Sequence, residues 1–164
     1  MTNLVDTISD LDDKEEKRKL RVTASSMTIF DGLWNALKQR IQRYNERHPQ
    51  DRLAPNAVWI HHEWDSRHRK ALIRKNAEPK NWLSIVFEIN SGEMGCQFAL
   101  GCGAIDATIT LDVREGTPAF YMEGDSYSTD EIADALLGPI LSPKWPPEIP
   151  ATPTSAKRPI GFKP

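Results

Sequence analysis

Residues 104–114 read Ala-Ile-Asp-Ala-Thr-Ile-Thr-Leu-Asp-Val-Arg, and from Ile105 onward apolar and polar residues alternate. Successive side chains of a β-strand point to opposite faces, so this alternation gives one apolar and one polar face. The apolar face is formed by Ile105, Ala107, Ile109, Leu111 and Val113. A strand of this kind is typical of an antiparallel sheet that is covered on one side only.

A helical pattern lies upstream of this strand. Its apolar residues, spaced three and four apart, are Phe30, Leu33, Trp34, Leu37, Ile41 and Tyr44. Thr28, with Asp31 three residues later, resembles a capping box, and Pro49 disfavours helix in the residue before it. The pattern predicts an amphipathic helix of about 19 residues, about 28 Å long, which is enough to cover a sheet.

The remaining patterns extend the sheet and close it. Short strands are predicted at 58–64, 70–75, 82–89, 94–100 and 119–123. Ser128 and Glu131 form a capping box, and Gly138-Pro139 is expected to end the helix that follows. The sequence therefore predicts an α+β fold: a long N-terminal amphipathic helix packed on an antiparallel β-meander of four to six strands, closed by a short capped C-terminal helix.

The chain is expected to divide into three parts. Residues 1–22 form a charged N-terminal arm, residues 23–141 a single α+β domain, and residues 142–164 a Pro-rich extended tail. Seven of the twelve prolines fall in this tail, and so many prolines do not allow a regular packed element.

Composition limits the class of protein. A chain of 164 residues with 39% hydrophobic content is long enough for one folded domain. No apolar run approaches the roughly 20 residues that span a bilayer, and the first residues lack the regions of a signal peptide. Cys96 and Cys102 are expected to be reduced thiols. We therefore expect a cytoplasmic protein with no membrane association and no cofactor.

Charge is distributed unevenly along the chain. Residues 38–80 contain eleven Lys or Arg against five Asp or Glu, whereas residues 81–142 contain one basic residue against ten acidic ones. Candidate nucleic-acid contacts in the basic segment are Arg40, Arg43, Arg47, Arg69 and Arg74, with Trp59, Trp64 or Trp82 available to stack on bases. The alternative is that these cations pair with acidic residues of the sheet: Glu88, Asp106 and Asp112. The sequence pI of about 6.1 is low for a nucleic-acid binder.

The segment 61–68 is the densest group of metal-type ligands. The candidates are His61, Glu63, Asp65 and His68. The zinc-protease motif His-Glu-x-x-His fails because Ser66 stands where its second histidine is required. In a strand His61, Glu63 and Asp65 would share a face, and in a helix His61, Asp65 and His68 would. Either trio could bind a divalent ion, so the spacing permits a metal site without specifying one.

No catalytic signature passes a spacing check, because the chain lacks a Gly-x-Ser-x-Gly elbow and neither cysteine has a nearby histidine. The sequence leaves open whether the protein is an enzyme and favours one that is not. We therefore expect a non-catalytic, macromolecule-binding or accessory module whose partner is another protein or a second copy of itself. The first alternative is a nucleic-acid-associated protein that uses residues 38–80. The second is a metal-dependent hydrolase that uses the cluster at 61–68.

Overall fold

Seven antiparallel strands form one sheet in the computed structural model, which describes residues 4–48, 58–76, 80–101 and 103–142. The strands are β1 (Val58–Trp64), β2 (His68–Lys75), β3 (Trp82–Glu88), β4 (Glu93–Leu100), β5 (Gly103–Arg114), β6 (Thr117–Met122) and β7 (Asp125–Tyr127). They lie side by side in chain order, with helix α1 (Leu4–Arg47) before them and helix α2 (Thr129–Leu141) after them. The predicted α+β fold is confirmed. The sheet exceeds the predicted four to six strands because β7 has three residues, too few for a period of two to be recognised.

Two short turns explain why the last three strands pair as hairpins. Glu115 and Gly116 join β5 to β6 with φ of 52° and 77°, and Glu123 and Gly124 join β6 to β7 with φ of 51° and 89°. Two central residues with positive φ define the type I′ turn, whose twist matches that of paired strands. The glycine in each turn makes this conformation accessible.

Both helices cover the same face of the sheet, and the core lies between. In β3, for example, Leu83, Ile85 and Phe87 are fully buried, whereas Trp82 and Val86 on the opposite face are 36% and 38% exposed. The apolar face predicted for β5 also points into this core: Ile105, Ile109 and Leu111 are buried, and Ala107 and Val113 are half-buried. At the centre, the Phe30 ring of α1 stacks on Phe87 at a centroid distance of 5.0 Å.

Helix α1 is 44 residues long, more than twice the predicted length. The predicted capping box at Thr28 and Asp31 is wrong, because both residues lie within the helix. Nothing in the preceding segment breaks a helix, and charge pairs such as Arg18 with Glu15, 3.2 Å apart, support one. Val22 is the first buried residue of α1. The division of the chain at residues 22 and 142 stays a prediction, and residues 143–164 lie outside the described part.

Helix α2 begins as predicted and ends later than predicted. The Ser128 hydroxyl accepts a hydrogen bond from the Glu131 amide at 3.2 Å, and the Glu131 carboxylate accepts one from the Ser128 amide at 2.7 Å. The predicted end at Gly138-Pro139 is wrong, because the helix continues to Leu141. Pro139 lies in the last turn, where its missing N–H removes one intrahelical bond and the following residues still complete the turn. No helix within the described ranges is both long enough and apolar enough to cross a membrane.

We predict that Leu111→Ala lowers the free energy of unfolding by about 2–5 kcal/mol, because it opens a cavity beneath α1. The matched control is Val86→Ala, which removes an exposed apolar side chain from the open face and is expected to change stability by less than about 0.5 kcal/mol. Urea denaturation followed by circular dichroism measures both. Equal losses for the two variants would show that the two faces of the sheet do not differ in burial.

A second stability prediction concerns Gly92, at the turn between β3 and β4. A Cβ there would lie 2.7 Å from the Leu111 carbonyl oxygen and 2.8 Å from Cγ1 of Val22, and φ is +70°. Gly116 has a similar φ of +77° but open space around its Cα. Gly116→Ala is expected to cost about 1–2 kcal/mol for backbone strain alone. Gly92→Ala should cost about 1–3 kcal/mol more because of the clash, and equal thermal denaturation midpoints would contradict this.

Candidate functional site

An aromatic and basic row crosses three neighbouring strands on the face of the sheet that the helices leave uncovered. Trp59 of β1 lies directly opposite Arg74 of β2, and Arg74 lies directly opposite Trp82 of β3. The Arg74 guanidinium carbon is 5.6 Å from the centre of the Trp59 ring. The indoles are 38% and 36% exposed. We call these three residues the open-face row.

The period of two explains why the row faces solvent. Its residues alternate along their strands with Val58, Ile73 and Leu83, which are buried beneath the helices. On the exposed side the Trp59 ring stacks on His61, with centroids 5.4 Å apart and planes inclined by 2°. Trp59 is therefore held by contacts with Arg74 and His61 within the face itself.

Charge on the open face changes from one end to the other. Beside Trp82, a cleft of about 310 Å³ is lined by Arg74, Lys75, Asn76 and Lys80. Further along the face, carboxylates are placed at Glu63 on β1, Glu88 on β3 and Asp106 on β5, and Lys70 of β2 lies directly opposite Glu63. The open face thus combines an aromatic, basic end with a remainder in which three carboxylates outnumber one lysine.

The five arginines predicted to contact nucleic acid lie in different surroundings. Arg40 contacts α2, with its Nε 2.7 Å from Asp134 and its Nη2 3.0 Å from Asp130. Arg43 and Arg47 are exposed near the C-terminal end of α1. Arg69 is 8% exposed and lies over the Trp64 ring at 5.0 Å, on the helix side of the sheet. Of the five, only Arg74 is placed beside exposed tryptophans on the open face.

Two of the sheet carboxylates that were predicted to pair with these arginines instead contact other arginines. Glu88 lies 3.6 Å from Arg67, at the turn between β1 and β2. Asp112 lies 3.2 Å from Arg18 and 3.4 Å from Arg114. These two carboxylates therefore pair with arginines that lie close to them in space. One of these arginines, Arg18, belongs to the N-terminal part of α1.

The metal candidates occupy a hairpin. His61 and Glu63 point to the open face, and His68 begins β2. Asp65 accepts hydrogen bonds from the amides of Arg67 and His68 at 2.7 and 2.6 Å. These backbone bonds lower the pKa of Asp65. They therefore stabilise the turn at pH values above the usual aspartate pKa of about 4, and this stabilisation is lost as the pH falls and the carboxylate is protonated. Across the described residues, no group of three or more His, Cys, Asp or Glu is arranged to hold a metal ion.

Cys96 lies in β4 and is 1% exposed. Burial raises the pKa of its thiol to about 12, so the thiolate that nucleophilic chemistry requires is scarce at neutral pH. Cys102 lies outside the described residues.

Sequence reasoning missed one residue that shapes the edge of the sheet. The Asn45 side chain accepts a hydrogen bond from the Val58 amide at 2.8 Å and donates one to the Val58 carbonyl at 3.1 Å. The amide of Asn45 therefore takes the place of a neighbouring strand at the first residue of β1. Next to this contact a cleft of about 580 Å³ lies between α1 and β1; its apolar lining includes Ile41 and Ile60. No local pattern predicts this role of Asn45, because the pairing joins residues 13 positions apart.

We predict that Asn45→Ala lowers the free energy of unfolding by about 1–3 kcal/mol, because it leaves two partly buried backbone groups of Val58 without partners. Gln42→Ala is the matched control, since its amide bonds only the exposed Glu46 one turn away and its loss should cost at most about 0.5 kcal/mol. Chemical denaturation of both variants checks the difference. A loss for Asn45→Ala as small as that of the control would contradict the proposed capping role.

No family model, no curated protein and no solved structure matches this chain. The open-face row and the edge of the sheet are the two features of the described residues that bear on function.

Proposed function

We propose that this chain is a non-catalytic binding domain that recognises another macromolecule through the open face of its sheet. The observation that carries the proposal is the open-face row, Trp59, Arg74 and Trp82. Exposed apolar side chains grouped on one surface are typical of interaction sites, and Trp and Arg dominate the binding energy of protein interfaces. A cytoplasmic location belongs to the same proposal, since Cys96 is a free thiol.

A protein is the partner that the charges favour. A protein surface can offer acidic groups to Arg74 and basic groups to Glu63 and Asp106 on the same face. A nucleic-acid strand carries negative charge along its whole length and needs a continuous basic track. On the open face such a strand would leave the basic end and meet carboxylates.

Single-stranded nucleic acid is the second candidate, and the open-face row is the specific observation in its favour. Two exposed indoles beside an arginine resemble the stacking platforms on which bases lie. Arg40 and Arg69 do not contribute to this candidate, because the first contacts α2 and the second is buried. No observation favours the metal-dependent hydrolase over these two.

The test compares binding by three forms of the full chain: wild type, a Trp59→Ala/Trp82→Ala variant and an Asp31→Ala control, which changes an exposed residue of α1 away from the open face. Affinity capture from an extract, followed by titration with the purified partner, is expected to show the same partner with wild type and control. The double variant should bind that partner at least about 10-fold more weakly, because it loses both anchors. Equal binding by all three forms would place the interaction elsewhere and contradict the proposal.

Titration with single-stranded and duplex oligonucleotides separates the two candidates. We expect no binding at about 0.15 M salt, since the carboxylates of the open face interrupt the continuous basic track that a phosphate chain requires. Micromolar binding that weakens steeply with salt and is lost in the tryptophan variant would favour the nucleic-acid candidate instead.

A further inference from the structure

The outer edge of β1 carries backbone groups that no other strand uses. The Asp65 amide donates to the His68 carbonyl at 3.1 Å, so these two residues form a hydrogen-bonded pair between the ends of β1 and β2. In an antiparallel pair, hydrogen-bonded and non-hydrogen-bonded residues alternate. The β1 residues whose N–H and C=O point away from β2 are therefore Val58, Ile60, His62 and Trp64.

Asn45 confirms this alternation, because it bonds the outward amide and carbonyl of Val58. Within the described residues, the outward groups of Ile60, His62 and Trp64 have no hydrogen-bond partner. An edge strand with a row of such groups is a template for another strand. One end of the edge is thus capped by Asn45, and the outward groups of the remainder are unpaired with respect to residues 4–48, 58–76, 80–101 and 103–142.

We propose that two copies of this chain pair through antiparallel β1 strands, with His62 opposite His62 of the second copy. In this register Ile60 of each copy lies opposite Trp64 of the other. Each hydrogen-bonded pair exchanges two bonds, so all three residues with free outward groups are satisfied at once.

Neighbouring registers use the edge less well. A shift by two residues in one direction places Trp64 opposite Val58, whose outward groups are already bonded to Asn45. The same shift in the other direction places Ile60 opposite Ser66, beyond the end of β1. It also brings Glu63 opposite Glu63 of the second copy, and like charges directly opposed destabilise a strand pair.

The side chains on the open face agree with the proposed register. With His62 at the two-fold axis, Glu63 of each copy lies opposite His61 of the other. A carboxylate and an imidazole opposed in this way form a hydrogen bond or an ion pair. The two-fold symmetry makes this contact twice, as expected for an interface between identical surfaces.

The side chains on the helix side supply apolar complementarity. Opposed residues of an antiparallel pair project to the same face, so Trp64 of the second copy would lie beside Ile60. The cleft of about 580 Å³ between α1 and β1 is located there, lined by Ile41, Val58 and Ile60. Within one chain the Trp64 ring lies 6.0 Å from the Trp34 ring and 5.0 Å from the Arg69 guanidinium, and 41% of the residue remains exposed. In the pair the exposed part of each indole would cover the cleft of the other copy. Burial of apolar surface of this kind drives association.

This inference does not depend on the open-face row, because β1 pairs through its edge and not through the open face. The variants that test the two proposals are therefore different.

The first measurement is the mass of the full chain in solution. Light scattering after size-exclusion chromatography, from about 1 to 100 μM (a range that brackets interfaces of modest area), is expected to give twice the chain mass of 18.6 kDa at high concentration. A single-chain mass at every concentration would overturn the proposal.

The second measurement compares two exposed tryptophans. Trp64→Ala should raise the dissociation constant of the dimer at least about 10-fold, because the cleft loses its occupant. Trp82→Ala removes an indole of similar exposure from the open face and should leave the dimer unchanged while it weakens binding of the macromolecular partner. A dimer that responds equally to both substitutions would contradict the β1 interface.

The third measurement tests the backbone pairing. His62→Pro removes an N–H that points outward, so the bonds between β1 and β2 remain, whereas His62→Ala keeps that N–H. We expect the proline variant to be monomeric and the alanine variant dimeric, with circular dichroism showing that both are folded. A folded proline variant that still dimerises as wild type does would overturn the proposal.

Disulfide formation tests the register of the β1 pair directly. It also tests the proposed dimer if the proline variant fails to fold. In a Cys102→Ser background, His62→Cys places two thiols on residues whose Cα atoms are about 5.5 Å apart, within disulfide range. Mild oxidation should link the two copies. Glu63→Cys, which lies opposite His61, is the control and should not link. Linkage through position 63 and not through position 62 would exclude the proposed register.

Discussion

The stacking of Phe30 on Phe87 lies at the centre of the contact on which the rest of the structure depends. One face of the sheet is apolar on nearly every strand, and that face must be covered for the chain to fold. Helix α1 and helix α2 cover it together, and Arg40 joins the two helices through Asp130 and Asp134. Because both helices lie on one side, no helix of the described part of the chain packs across the other face of the sheet.

The two edges of the sheet are treated differently. β7 has only three residues, and short edge strands offer little template for another chain. β1 has seven residues, and among the described side chains Asn45 caps the first of them and none caps the other six. A long and partly capped edge strand exposes a monomer to unspecific pairing with other chains, whereas in a dimer the same edge forms the interface. The difference in length between β1 and β7 therefore supports the proposed pairing through β1.

The open face and the outer edge both include β1, but the two proposed interactions involve different atoms of this strand. The open-face row presents side chains perpendicular to the sheet, whereas pairing through the edge uses backbone groups within its plane. A dimer formed through β1 would continue one sheet into the next, so the open faces of both copies would form one surface. Two copies of the row on a single surface would bind a repeated or symmetric partner with higher apparent affinity than one copy.

Local patterns made much of the fold predictable. The alternation in residues 105–113, the stripe from Phe30 to Tyr44 and the capping box at Ser128 depend on near neighbours in sequence, and each predicted the element that is observed. Local patterns also misled: Thr28 and Asp31 have the spacing of a cap but lie inside a helix. A capping box stabilises a helix start without forbidding helix before it, and nothing upstream ends the helix.

The sequence by itself determined the α+β class, the apolar face of the sheet and the start of α2, because periodicity and capping are local properties. Only the tertiary structure decided which charges pair, which face of β1 is covered and where its edge ends. β1 carries aromatic or histidine side chains on both faces, so its periodicity does not identify the buried one. The partners of Arg40 lie 90 and 94 residues away along the chain. Such contacts are set by how the helices pack on the sheet, and no spacing within the sequence encodes them directly.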